Sequence, residues 1–105
     1  MSVSTHVLDT ARGLPAFGVN VLLTDPTGDT VAAITDLDGR AQLAEAPLLT
    51  GNYVLVFATA EYFALTGTPT FYPEVTVAFT VTHGGAHHHV PLLISPFAYS
   101  TYRGS

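Results

Sequence analysis

The sequence contains no cysteine. That excludes disulfides, a thiolate nucleophile and a cysteine-ligated zinc, and it fits a reducing compartment. Lysine is absent too. The cations other than histidine are Arg12, Arg40 and Arg103, set against eight carboxylates for a formal net charge of −5. Phosphate contacts need clustered lysine or arginine, so nucleic acid is excluded as a partner, and an anionic membrane is disfavoured for the same reason. No apolar run is long enough to span a bilayer. The opening Met1-Ser-Val-Ser-Thr-His6 carries neither a basic stretch nor an apolar core, so no signal peptide is expected and a cytoplasmic protein is. There is no Gly-rich dinucleotide loop, no P-loop, no G-x-S-x-G elbow and no H-E-x-x-H. Internal repeats, linkers and low-complexity tracts are missing as well.

What remains is a chain of 105 residues, enough for one domain over 1–105 with one core. Hydrophobic residues make up 48% and charged residues 10%, where ordinary globular chains carry about 25% charged. A small monomer has difficulty hiding that much apolar surface, so a homo-oligomer is expected. The alternative is a Thr/Gly/Ala-rich surface that stays soluble without charge.

The pattern is all-β. Residues 20–24 alternate, with Val19, Val21 and Leu23 on one face, and Asp25-Pro-Thr-Gly-Asp29 follows as a turn. Residues 31–35 read as a second strand, Asp36-Leu-Asp-Gly-Arg40 as a turn, and 53–57 as a buried strand. Residues 74–82 keep strict period two, with Val75, Val77, Phe79 and Val81 facing one way. Residues 59–65 hold helix formers, with Thr59 placed as N-cap and Gly67 as the stop. After the turn His83-Gly-Gly-Ala86 comes a last strand, 87–94, which Pro91 assigns to an edge or a bulge. About seven short strands in such a length point to a sandwich.

The chemistry on offer is mostly histidine. Strand alternation puts His87 and His89 on one face, and His88 with Val90 and Leu92 on the other. The pair His87/His89 can hold zinc only with a third ligand from elsewhere, and nothing in the sequence fixes that ligand. Without metal, His6 or His89 can serve as general base, since an imidazole with pKa near 6.5 takes a proton from water at neutral pH. The bland reading is that both are structural. Arg40 offers a planar fork for a carbonyl or an anion, or a surface ion pair with Asp36 or Asp38. Asp36-x-Asp38-Gly lacks the distal glutamate of a calcium loop and reads as a turn. Arg12 reads as a local ion pair with Asp9. The hydroxyls of Tyr99 and Tyr102 lie in a polar tail, within reach of a ligand.

Two long segments carry a resemblance. Ser4-Thr-His-Val-Leu-Asp-Thr-Ala-Arg-Gly-Leu-Pro15 resembles the opening signature of the 5-hydroxyisourate hydrolases. His89-Val-Pro-Leu-Leu-Ile-Ser-Pro-Phe-Ala-Tyr-Ser-Thr-Tyr-Arg-Gly-Ser105 resembles their closing one, and Thr35-Asp-Leu-Asp-Gly-Arg40 and Phe71-Tyr-Pro-Glu-Val75 fall between them in the family order. His88 departs from the pattern, standing where family members often carry an aromatic. The resemblance implies a transthyretin-like (prealbumin-like) two-sheet β-sandwich with one short helix, and a homotetramer with its sites in the cleft where two dimers meet. It implies hydrolysis of 5-hydroxyisourate, the step after urate oxidation, to 2-oxo-4-hydroxy-4-carboxy-5-ureidoimidazoline, with no metal or other cofactor. It assigns His6, Arg40, His89 and Ser105 to catalysis. Substrate binding falls to His6, Arg40, Tyr102, Arg103, Gly104 and Ser105. The competing readings are a non-catalytic carrier of transthyretin type and a zinc hydrolase built on His87 and His89.

Overall fold

The computed structural model describes residues 3–105. Met1 and Ser2, the start of the segment in which no signal peptide is expected, lie outside the described residues. Nine strands and one helix follow in the order β1 (Val3–Asp9), β2 (Leu14–Pro15), β3 (Asn20–Thr24), β4 (Thr30–Ile34), β5 (Arg40–Ala44), β6 (Gly51–Phe57), α1 (Thr59–Ala64), β7 (Val75–Val81), β8 (His88–Ser95) and β9 (Ala98–Thr101). One sheet has the order β2-β1-β8-β9, with β5 also pairing with β1; the other has the order β4-β3-β6-β7. Among the described residues, the one parallel pair joins β1 to β8, from opposite ends of the sequence.

The core forms because the strands alternate. Along β1, Val3, Thr5, Val7 and Asp9 are buried while Ser4, His6 and Leu8 are half-buried on the outer face. Val3, Val7, Leu92 and Ile94 from one sheet meet Val21, Leu23, Leu55 and Phe57 from the other. Each such side chain contributes about 1.5–3 kcal/mol by leaving water. Two of the polar groups buried among them are tied into hydrogen bonds. Thr35 Oγ1 donates to the Ala16 carbonyl at 2.6 Å and accepts the Val19 N–H at 2.9 Å. Asp9 Oδ1 accepts the backbone N–H groups of Ala11 and Arg12, and Oδ2 accepts the Tyr62 hydroxyl at 2.8 Å. Asp9 therefore holds Arg12 through the backbone, where the sequence suggested a side-chain ion pair.

Other expectations need correction. Thr59 is the first helical residue and buried. The N-cap is Ala58, which has no side chain to accept a hydrogen bond. Gly67 is the stop, with φ +66° and its N–H on the Ala64 carbonyl. Pro91 lies in an interior strand, flanked by β1 and β9, rather than on an edge. It is tolerated there because β9 pairing ends at Leu92↔Thr101 and the next bridge is His89↔Gly104. Pro91 falls in that gap, where its missing N–H leaves no ladder bond unmade, and its carbonyl accepts the Thr101 hydroxyl at 2.7 Å. Strands β5 and β9 lie in segments that the sequence pattern did not single out.

Candidate functional site

Three registers assemble one cluster on the outer face of the first sheet. Parallel pairing sets Ser4 beside His89. Antiparallel pairing sets His6 opposite Arg40, and directly opposed residues share a face. The chain end then returns, and Gly104 bridges to His89, its N–H on the His89 carbonyl at 2.8 Å. A cleft of about 450 Å³ opens here, walled by Ser4, Asp36, Arg40, His87, His89 and Ser105.

Arg40 arrives at the start of β5 from a turn closed by Asp36, whose Oδ1 accepts the backbone N–H of Asp38 and of Arg40 itself. Asp36 thus grips the Arg40 backbone, and the guanidinium is exposed at the cleft wall. The turn needs Gly39, which sits at φ +75° against the Val7 carbonyl oxygen. The ring of His89 is held from two sides. Its Nδ1 lies 2.8 Å from Ser4 Oγ. A Cβ on Gly104 would stand 2.6 Å from its Cδ2, so only glycine lets the chain end lie against the ring. His87 stacks almost parallel to His89, with centroids 6.2 Å apart, and its Nε2 is 3.4 Å from the same Ser4 hydroxyl.

Burial pulls the His89 pKa below its ordinary 6.5, and the charges of Arg40, His87 and His6 push the same way; a hydrogen bond to the Ser4 backbone opposes them. His89 is therefore neutral at pH 7, with a lone pair available to take a proton. An arginine that cannot deprotonate stands across the same cleft, suited to an oxygen that gains negative charge.

The profile of the HIUase/Transthyretin family matches residues 3–104. The chain belongs to this family. A 5-hydroxyisourate hydrolase of Deinococcus radiodurans is 47% identical, over 98% of this chain and 95% of that protein. Two of the solved structures that share the fold show its range. One is a Klebsiella pneumoniae 5-hydroxyisourate hydrolase, with TM-score 0.89 and 38% identity over 99% of this chain and 93% of that one. The other is sea bream transthyretin in complex with thyroxine, with TM-score 0.87 and 26% identity over 99% and 95%. The transthyretin-type sandwich with one short helix is thus the architecture of this chain.

Within one copy, Arg40, His89 and Ser105 share the cleft, and Gly104 packs on His89. His6 stands on the same face opposite Arg40, and its charge reaches His89. Tyr102 and Arg103 are placed elsewhere. They line a second, mainly apolar cleft of about 320 Å³, together with Phe79, His88 and His89, the last of which borders both clefts. Tyr99 packs edge-on to Tyr72 at 5.0 Å, outside both clefts. His88 points inward as alternation required and is 7% exposed, near Phe79. Its Nδ1 has no hydrogen-bond partner among the described residues. Also among the described residues, no group of three or more His, Cys, Asp or Glu side chains is arranged to hold a metal ion, and no helix is long and apolar enough to cross a membrane. Sequence reasoning missed Ser4 as a site residue. Alternation along β1 puts it on the face of His6, but its neighbour His89 is fixed only by the parallel β1–β8 register.

Proposed function

We propose that this chain, acting as one domain over residues 1–105, hydrolyses 5-hydroxyisourate to 2-oxo-4-hydroxy-4-carboxy-5-ureidoimidazoline, and does so without a metal. The observation that carries the reading is a cleft in which His89, Arg40 and the chain end converge, in a chain whose relatives bear the hydrolase name. His89 takes a proton from water, and the water oxygen bonds to the ring carbonyl carbon. Arg40 stabilises the negative charge that builds on the carbonyl oxygen. The acyl–nitrogen bond then breaks, and the nitrogen leaves with the proton that His89 returns. His6 shares the attacking water with His89. Ser105 orients the ring from the chain end beside Gly104, and Tyr102 and Arg103 approach it from the adjoining cleft that shares His89.

The active form in this reading is a cytoplasmic homotetramer with the sites between two dimers. Its support is the exposed apolar surface: Leu14, Phe17, Phe71 and Phe97 are each more than half exposed in the isolated chain. The likeness to a thyroxine-bound transthyretin favours one alternative, a carrier that binds a small aromatic ligand without turning it over.

An ultraviolet time course separates the two. Urate oxidase generates 5-hydroxyisourate in situ, and decay of its absorbance is followed with this protein added. The hydrolase reading predicts decay faster than the spontaneous rate, retained after chelation, and lowered about 10²–10³-fold by Arg40→Ala in a protein that stays folded. Spontaneous decay alone would leave the carrier; loss of rate on chelation would point to zinc on His87 and His89.

A further inference from the structure

A hydroxyl has one hydrogen to give. Ser4 Oγ has two histidine nitrogens within reach, Nδ1 of His89 at 2.8 Å and Nε2 of His87 at 3.4 Å, and it can donate to no more than one of them. Two arrangements direct that hydrogen at a ring nitrogen. In the first, His89 donates from Nδ1–H to Ser4 and Ser4 donates to His87. In the second, both bonds run the other way. They differ in the nitrogen that matters. The first leaves a lone pair on His89 Nε2; the second puts the hydrogen there and removes the base.

The cation at the cleft wall selects the first. Arg40 carries only donors, and its charge acts on His89 from the wall of the same cleft. A fixed cation favours a lone pair over an N–H dipole on the ring nitrogen that Ser4 leaves free. The ring has little freedom to turn over, because Gly104 lies against its Cδ2 edge.

We propose that Ser4 is the positioning residue of this site: by accepting the His89 Nδ1–H and donating to His87 Nε2, it holds His89 in the tautomer whose Nε2 is the general base. The role in turnover rests on the hydrolase reading above; the tautomer does not. Ser4 touches no substrate in this account. It acts through His89, so its removal lowers kcat far more than it raises KM.

The test reads the tautomer first. Long-range 1H–15N correlation spectra of the histidine rings, at a pH where His89 is neutral, distinguish Nδ1–H from Nε2–H. The native protein should show Nδ1–H at His89, Ser4→Ala should shift it toward Nε2–H, and Ser4→Thr, which keeps the hydroxyl, should restore it. Steady-state kinetics should follow, with kcat about tenfold lower in Ser4→Ala, KM changed less than about twofold, and recovery in Ser4→Thr. An Nε2–H tautomer in the native protein, or a tautomer indifferent to Ser4→Ala, overturns the proposal. A native protein with the assigned tautomer that does not accelerate 5-hydroxyisourate decay overturns the hydrolase reading and leaves the hydrogen-bond assignment standing.

Discussion

At His89, burial acts first and the charge of Arg40 next, both lowering the pKa of the ring below its ordinary 6.5. The linkage sign follows. Above pH 6.5 the ring is neutral whether the chain is folded or not, and it adds no pH dependence to stability. As pH falls through 6.5 the unfolded chain takes up a proton that the folded one resists, so folding loses stability until the lowered value is passed. Gly104 tests the other restraint on the ring. Gly104→Ala places a methyl 2.6 Å from His89 Cδ2 and 3.1 Å from Pro91 Cγ, so ring or chain end must shift. A displacement near 1 Å can cost about 10²-fold in rate. The expected result is a loss of that order in kcat/KM with an unchanged circular dichroism spectrum; native kcat/KM would show that the chain end does not brace His89. At this scale the sequence was informative about residue type and silent about neighbours. His6, Arg40 and His89 stand out as reactive side chains. The Ser4–His89 contact depends on a register between residues 85 positions apart, which no local pattern encodes.

The β4–β5 turn is the element that brings Arg40 to the site, and its weak point is Gly39. At φ +75° its backbone is strained for any other residue, and a Cβ there would collide with the Val7 carbonyl oxygen, whose own N–H bonds to the Gly39 carbonyl at 2.7 Å. Gly39→Ala should cost about 2–3 kcal/mol and lower Tm by on the order of 10–20 °C, as read by thermal denaturation. A shift under about 2 °C would mean that the turn adapts freely. The turn itself was readable from Asp36-Leu-Asp-Gly-Arg40. Strand β5 after it was not, because Arg40-Ala-Gln-Leu-Ala44 has few residues of high β-propensity; it becomes a strand because Ala41 and Leu43 find a core. Strand β9 is exposed at every residue, so it leaves no burial alternation to read. The helix was legible in place and wrong at its start, since tertiary packing draws Thr59 inside and removes it from the cap position.

For the whole molecule, low charge and exposed apolar side chains point the same way. Leu37, Leu65, Phe71 and Phe97 are 68–78% exposed in the isolated chain, which is costly unless another surface covers them. Light scattering on a sizing column should give a mass near four chains at micromolar concentration. A mass of one chain of 11.1 kDa would contradict the tetramer and remove the inter-dimer cleft from the account. The all-β reading and the period-two strand at 74–82 were legible because alternation is local; the pairing of the first strand with the eighth was not.

The central claim is that a neutral histidine base beside a fixed arginine opens the 5-hydroxyisourate ring. The most direct test is the pH dependence of kcat/KM for 5-hydroxyisourate decay, corrected for the spontaneous rate. The account predicts a plateau through pH 7 that persists below 6.5, then an acid limb as His89 takes its proton. No acceleration at any pH, or an acid limb at or above 6.5, would contradict it.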